Sequence, residues 1–231
     1  NAPKAKLNIN RWIYSELIKS KQLIEKNIKD YRFDEASRNV YQFVWHSYCD
    51  WYLELTKTIF NSGKKGDIKE TKEIASFVFK EILVLLHPFI PFITEEIWLN
   101  NKLDNNSKDY LMYSNWIGDK AKKQSFDDVE KIINFITEIR SFKNELGVSP
   151  GSFIEISFSN VDKKNKTFFN KNDLVLKRLG RISSFLEIDK AEPSASLVIK
   201  GNVFKIYFDE NIDLNLIKNN LLSKQSKYQA E

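Results

Sequence analysis

Up to Leu146, apolar residues recur every three or four positions, a spacing that lines them up on one face of a helix. In the first such stretch Asn8 or Asn10 acts as the cap and the helix runs to about Asn27. Ile9, Ile13, Leu17, Ile24 and Ile28 form its stripe, while Lys19, Lys21, Lys26 and Lys29 leave the other faces polar. A longer helix follows, with Asp34 as N-cap and its end near Phe60. Ala36, Val40, Phe43, Val44, Tyr48, Trp51, Tyr52, Leu55 and Ile59 lie at core spacing, and Trp45, Cys49 and Leu53 widen the stripe. A helix apolar over so much of its circumference is expected at the centre of a bundle. Ser62, Gly63 and Gly66 break it, and Lys64 and Lys65 make the connection basic.

A third helix is predicted from about Ile68 to Leu86, on Ile74, Phe77, Val78, Ile82 and Leu85. Pro88 stops it and pushes His87 toward an extended conformation. Pro91 in the first turn, or Thr94 as a cap, then starts a new helix toward Trp98, with Glu95 and Glu96 near its positive end. Phe89, Ile90, Phe92 and Ile93 are too apolar for a solvated loop, so this corner is expected inside a domain. Residues 100–124 form a long polar connection, with Leu111, Met112, Tyr113 and Trp116 as a patch that can pack back onto the bundle. Asp127 or Asp128 begins a helix on Val129, Ile132, Ile133, Ile136, Ile139 and Phe142, and Gly147 ends it.

Beyond Gly151 the period changes toward two. Ile154, Ile156 and Phe158 alternate with polar residues as a strand, Leu174 to Leu179 suggest a short helix capped by Asn172 or Asp173, and residues 185–188 a further strand. Residues 197–200 and 203–208, joined by Gly201 and Asn202, read as a hairpin. From Asp213 a last helix begins on Leu214, Ile217, Leu221 and Tyr228. The fold class expected is mainly α: an antiparallel helical bundle over 1–148, a small α+β subdomain over 149–212, and a final helix over 213–231.

Composition narrows the setting. The 231 residues, 42% of them hydrophobic, can bury a core without disulfides, and Cys49 is the single cysteine, which favours the cytoplasm. No apolar run has the length of a membrane span, so no membrane partner is expected. A net charge of +5 permits a polyanionic partner, but 31 acidic residues are interspersed with the basic ones. The chain starts at Asn1 without methionine and ends in a helical pattern, which suggests a piece of something longer.

Several short motifs lie along these elements: NRWI (10–13), YRFDEA (31–36), FVWHSYCDWYLE (43–54), LLHPFIPFITEEIW (85–98) and IRSFKNELGVSPG (139–151). In this order they resemble the motifs of valyl-tRNA synthetases in the helical anticodon-binding region downstream of the catalytic domain. The family more often has methionine near Leu146 and Pro-Pro where this chain has Ser149 and Pro150. DLVLKRLGRISSF (173–185), the hairpin and the last helix are similar to the family's small C-terminal unit and the start of its coiled-coil arm. The resemblance implies a tRNA-binding piece of a valine–tRNA ligase, with tRNA(Val) as partner and catalytic and editing domains in the same parent chain. ATP and Mg2+ would serve that parent, a cytoplasmic monomer. The class I signatures HIGH and KMSKS do not occur here, so no catalytic residue and no cofactor is assigned to this chain. A helix that the family places before NRWI, part of its anticodon surface, is expected to lie outside these residues.

Other candidate sites have simpler readings. His46, Cys49 and Asp50 have metal-ligand spacing on one helix, yet no companion cluster exists, and no metal is expected. His87 reads as a hydrogen-bonded core histidine, and Glu95 and Glu96 as charges serving the helix dipole. The aromatic residues at helical spacing read as core, and Lys163, Lys164 and Lys166 as a solvated face.

An anticodon reader needs cations for phosphates and polar or aromatic groups at an element end for unstacked bases. The end of the second helix supplies Glu54, Lys57, Thr58 and Phe60, followed by Lys64 and Lys65, and the resemblance points to the same bundle end. Arg11, Arg32 and Arg38 are secondary candidates, each equally readable as a surface ion-pair partner. Two alternatives stay open: the same region of an isoleucyl- or leucyl-tRNA synthetase, and a helical protein-interaction module without RNA binding.

Overall fold

Helix α1 (Asn8–Lys29) turns its stripe inward, with Ile13, Leu17 and Ile24 buried. Its N-cap is Leu7, not an asparagine. Asn10 is fully buried instead: its amide donates to Glu70 (2.9 Å) and Thr71 (3.2 Å) and its carbonyl accepts from the Tyr52 hydroxyl (2.9 Å). Glu70 also accepts from the backbone N–H groups of Lys6 and Leu7, so a side chain of another helix satisfies amides at the start of α1. Lys21, expected in solvent, lies four residues after Leu17 and three before Ile24, on the stripe itself. It is buried and pairs with the equally buried Glu81 at 2.5 Å. The helix ends with Tyr31 N–H on Ile28 and Arg32 N–H on Asn27, a double closure that needs a left-handed residue. Tyr31 takes that conformation (φ 56°) and is largely exposed.

The computed structural model describes residues 3–101, 110–114, 116, 126–158, 161–190, 192–208 and 217. It divides into two compact units, Asn1–Val129 and Glu130–Glu231. In the first, the long second helix is α2 (Phe33–Gln42), a π-helical segment (Phe43–Leu53) and α3 (Glu54–Ser62), one continuous run. Arg32 rather than Asp34 occupies the N-cap. Buried apolar positions fall at Ala36, Val40, Phe43, Tyr48, Tyr52 and Leu55. The step of five from Phe43 to Tyr48 matches the wider π turn, which rotates later side chains away from the 3.6-residue register. Trp45 and Leu53, expected to widen the core stripe, are 53% and 37% exposed.

Helix α4 (Lys65–Leu86) starts directly after Gly63 and Lys64, so Gly66 is helical rather than part of the break. At the corner His87 stays in the α region (φ −55°, ψ −40°), contrary to the proline expectation. Phe89 and Ile90 both close onto the Leu86 carbonyl, and the chain departs from helix at Ile90 instead, before α5 (Pro91–Asn100). The corner is also not interior: Phe92 is 91% exposed, and Ile90 and Ile93 are exposed too. What α5 buries is Thr94, whose hydroxyl hydrogen-bonds to His87 Nδ1 (2.8 Å). No acid stands in the first turn of α5. Glu95 accepts from the N–H groups of Leu111 and Met112 at a 3-10 turn (Leu111–Tyr113), and Glu96 from Asn100. Of the expected apolar patch here, Leu111 is buried while Met112 and Tyr113 are exposed.

The second unit carries most of α6 (Asp127–Glu145), which closes at Gly147 (φ 72°) with Val148 N–H on the Lys143 carbonyl. Strands β1 (Ile154–Ser157), β2 (Ile182–Leu186), β3 (Ala195–Ile199) and β4 (Asn202–Phe208) form one sheet in the order β2-β1-β4-β3. β1 and β2 are parallel, connected through α7 (Lys163–Lys171) and α8 (Asp173–Gly180), and the other pairs are antiparallel. The hairpin turns on Lys200 and Gly201, both with positive φ, because Asn202 already pairs with Ile199. Helix α7, capped by Asp162, was hidden by its polar composition. Phe135, Phe169 and Phe204 pack their rings at centroid distances of 4.8 to 5.5 Å, joining α6, α7 and the sheet. Lys143, on the α6 stripe, is buried and donates to the carbonyls of Ser152, Gly180 and Arg181. These contacts tie most of α6 to the sheet, where the periodicity alone groups it with the bundle through 148. The final helix and the coiled-coil expectation lie outside the described residues, except that Ile217 is helical and packs with Leu146 and Val148.

Candidate nucleic-acid interface

The Asn10–Tyr52–Thr71 and Leu7–Glu70 bonds tie the start of α1 and the first turns of α4 to the end of the π-helical segment that leads into α3. Burial pushes the Glu70 carboxyl up, but the donors from Asn10, Leu7 and Lys6 and the Lys6 charge outweigh it and hold the group below the ordinary range. Burial also pushes the Tyr52 hydroxyl well above its usual range. Donors and acceptors thus hold the start of α1 and the first turns of α4 against Tyr52, two residues before α3 begins.

Lys57, Thr58 and Phe60 occupy the last two turns of α3, and Lys64 and Lys65 open α4. Lys57 pairs with Glu54, and the Thr58 hydroxyl donates to the Leu55 carbonyl (2.8 Å). Phe60 is 40% exposed. Lys64 and Lys65 are exposed, and neither is in an ion pair among the described residues. They stand at the positive end of the α4 dipole, which adds to their field. Gly63 makes the tight step possible: a Cβ there would lie 2.3 Å from the Ile59 carbonyl oxygen.

The secondary candidates separate from this cluster. Arg32 and Arg38 both pair with Glu35 (3.5 and 3.2 Å), and at 1.5 Å per residue the run from Glu35 to Lys57 spans roughly 30 Å. Arg11 follows Asn10 on α1, but its guanidinium lies 5.8 Å from the Phe126 ring in a small cleft that also contains Asp127 and Asp128, which disfavour phosphate. Of the other motif residues, His46 pairs with Asp50 at 3.2 Å, and burial and the Asp50 charge raise the Cys49 thiol. The pattern placed Trp45 in the core, whereas it stacks on Tyr41 at the surface, rings 6.2 Å apart and nearly parallel. The two rings are four residues apart, so helical spacing alone brings them together; what the spacing does not show is that this face of the helix meets solvent.

The first unit is thus a helical bundle with exposed lysines and Phe60 around the α3–α4 connection, and a small α+β unit follows it in the chain. Residues 10–157 match the family described as the anticodon-binding domain of tRNA ligase, and the chain belongs to that family. It is similar to the valine–tRNA ligase of Pelagibacter ubique, 57% identical over 230 residues, 99% of this chain and 26% of that protein. With the valine–tRNA ligase of Zymomonas mobilis it is 34% identical over 222 residues, 92% of this chain and 24% of that protein. The chain thus spans about a quarter of the length of these relatives, and the similarity continues past the family match through the sheet.

Proposed function

We propose that this chain binds the anticodon region of tRNA(Val) and orients that tRNA for a catalytic domain elsewhere in a parent valine–tRNA ligase. The family match over the bundle carries this proposal, and the convergence of Lys57, Phe60, Lys64 and Lys65 at one bundle end supports it. Cations there meet phosphates, and the exposed phenyl ring and the hydroxyl of Thr58 meet unstacked bases. The contribution to catalysis is positional: binding energy spent on the anticodon holds the acceptor end near its reaction partners. ATP and Mg2+ act in the parent's catalytic domain, the chain alone does not aminoacylate, and the working setting is a cytoplasmic monomer. Among the described residues no helix is long and apolar enough to cross a membrane.

Fluorescence anisotropy with labelled tRNA(Val), and with a version carrying a changed anticodon, tests the proposal. Binding should favour the native anticodon and weaken with salt. Lys57→Glu/Lys64→Glu should weaken it about tenfold or more and lower the salt slope by about two. Equal, salt-insensitive binding of both tRNAs would remove the proposal and favour the protein-interaction alternative.

A further inference from the structure

The second unit holds a cleft of ≈ 250 Å³ between α6, the start of α7 and the tip of the β3–β4 hairpin. Its floor is the edge of the phenylalanine core, and the half-buried Phe168 forms part of its wall. Three lysines from three different elements surround it: Lys131 on α6, Lys164 on α7, and Lys200, which the left-handed turn (φ 47°) carries at the hairpin tip. Lys131 Nζ lies 5.6 Å from the Phe168 ring centre. Asn134 and Asn202 also line the cleft, and the Asn202 amide donates to the Lys200 carbonyl (3.4 Å).

Some lysines of this unit are neutralised, Lys177 by Asp173 and Lys205 by Asp189. Among the described residues, none of Lys131, Lys164 and Lys200 is in an ion pair. The one carboxylate in the lining, Asp162, accepts from the backbone and side-chain N–H groups of Asn165 (2.9 and 2.6 Å). The cleft is therefore cationic, has an aromatic wall and carries neutral donors and acceptors. Its volume lies below the roughly 300–1,000 Å³ of a usual small-molecule site, which suits one base better than a whole cofactor.

We infer that this cleft binds one unpaired nucleotide of single-stranded RNA. The base stacks on Phe168 in place of Lys131, the freed ammonium joins Lys164 and Lys200 on the flanking phosphates, and the Asn134 and Asn202 carboxamides meet the base edge. The inference rests on the proposed RNA-binding role of the chain, but it uses a different unit and different residues.

The test is titration of the full chain with hexauridylate, followed by anisotropy and by the NMR shifts of the Asn134 and Asn202 carboxamides. Saturable shifts are expected, together with binding at least about fivefold weaker in Phe168→Leu and in Lys131→Ala/Lys200→Ala. The lysine variant removes no buried side chain, so it keeps the test valid if the phenylalanine variant fails to fold. Unmoved carboxamides would overturn the inference, as would equal displacement by hexaglutamate, because charge alone would then suffice. Lys57→Glu/Lys64→Glu should leave these shifts in place. A chain that ignores tRNA yet shows them keeps the cleft and loses the anticodon proposal. A chain that binds tRNA through Lys57 and Lys64 with a silent cleft does the reverse.

Discussion

Three charged side chains sit on apolar stripes, Lys21, Glu81 and Lys143, and all three are buried. Lys21 and Glu81 neutralise one another, so removing one partner leaves an uncompensated buried charge. Lys21→Ala is expected to cost about 3–5 kcal/mol, whereas Lys21→Met/Glu81→Leu should be near neutral or stabilising, because desolvation of both charges is avoided. Urea unfolding of the two variants checks this, and a double variant as unstable as the single one would refute it. Lys143 behaves differently, since its partners are carbonyls rather than a carboxylate. Burial, helped by the positive charges of Arg181 and Arg140, lowers its ammonium to about 8 from 10.5. Between those two values the unfolded chain holds a proton that the folded chain has released, so this group makes stability rise with pH across that window and contributes no slope below it. Lys143→Met should abolish the rise and, by orphaning carbonyls, cost about 2–4 kcal/mol at neutral pH. Unfolding curves of both proteins between pH 7 and about 10 measure both effects. The stripe positions of these residues were visible in the sequence, but their partners were not, because pairing depends on which helices face one another.

At the level of elements, the helices were legible wherever a single 3.6-residue period held. α1, α4 and α6 fall close to their expected limits for that reason. The long second helix changes period at Phe43, and no residue type marks the change; Trp45 and Leu53, which widen its apolar stripe in the sequence, face solvent. The corner at His87 shows the same limit: its composition predicts burial, whereas the Thr94–His87 bond sets which side of α5 turns inward. α7 has two phenylalanines in a polar helix and gives almost no periodic signal. Gly63 links local geometry to the candidate site. Gly63→Ala places a Cβ against the Ile59 carbonyl oxygen, so the last turn of α3 must shift. The expected result is a loss of about 1–3 kcal/mol and weaker tRNA binding, read by thermal unfolding and anisotropy.

At the scale of the whole molecule, two units share one chain, and all five tryptophans fall in Asn1–Val129. Tryptophan fluorescence therefore reports the first unit. Lys21→Ala should move the fluorescence-detected urea midpoint, while Lys143→Met should leave it in place and change only the circular-dichroism transition. Coincident shifts in both variants would show one cooperative block instead. Above pH 10 the same fluorescence should report a loss of stability, because burial raises the Tyr48 hydroxyl to about 12 and the folded chain keeps a proton that the unfolded one gives up. The sequence by itself determined the helical class, the strand-bearing second half, the family resemblance and the basic segment after α3, because periodicity, turn residues and motif order are local properties. Tertiary structure alone decided the partners of the buried charges, the face of Trp45, the exposure of the Phe92 corner, the separation of Arg32 and Arg38 from Lys57, and the gathering of Lys131, Lys164 and Lys200 around one cleft. Each of these depends on which residues distant in sequence the fold brings together, and no single stretch of the chain carries that information.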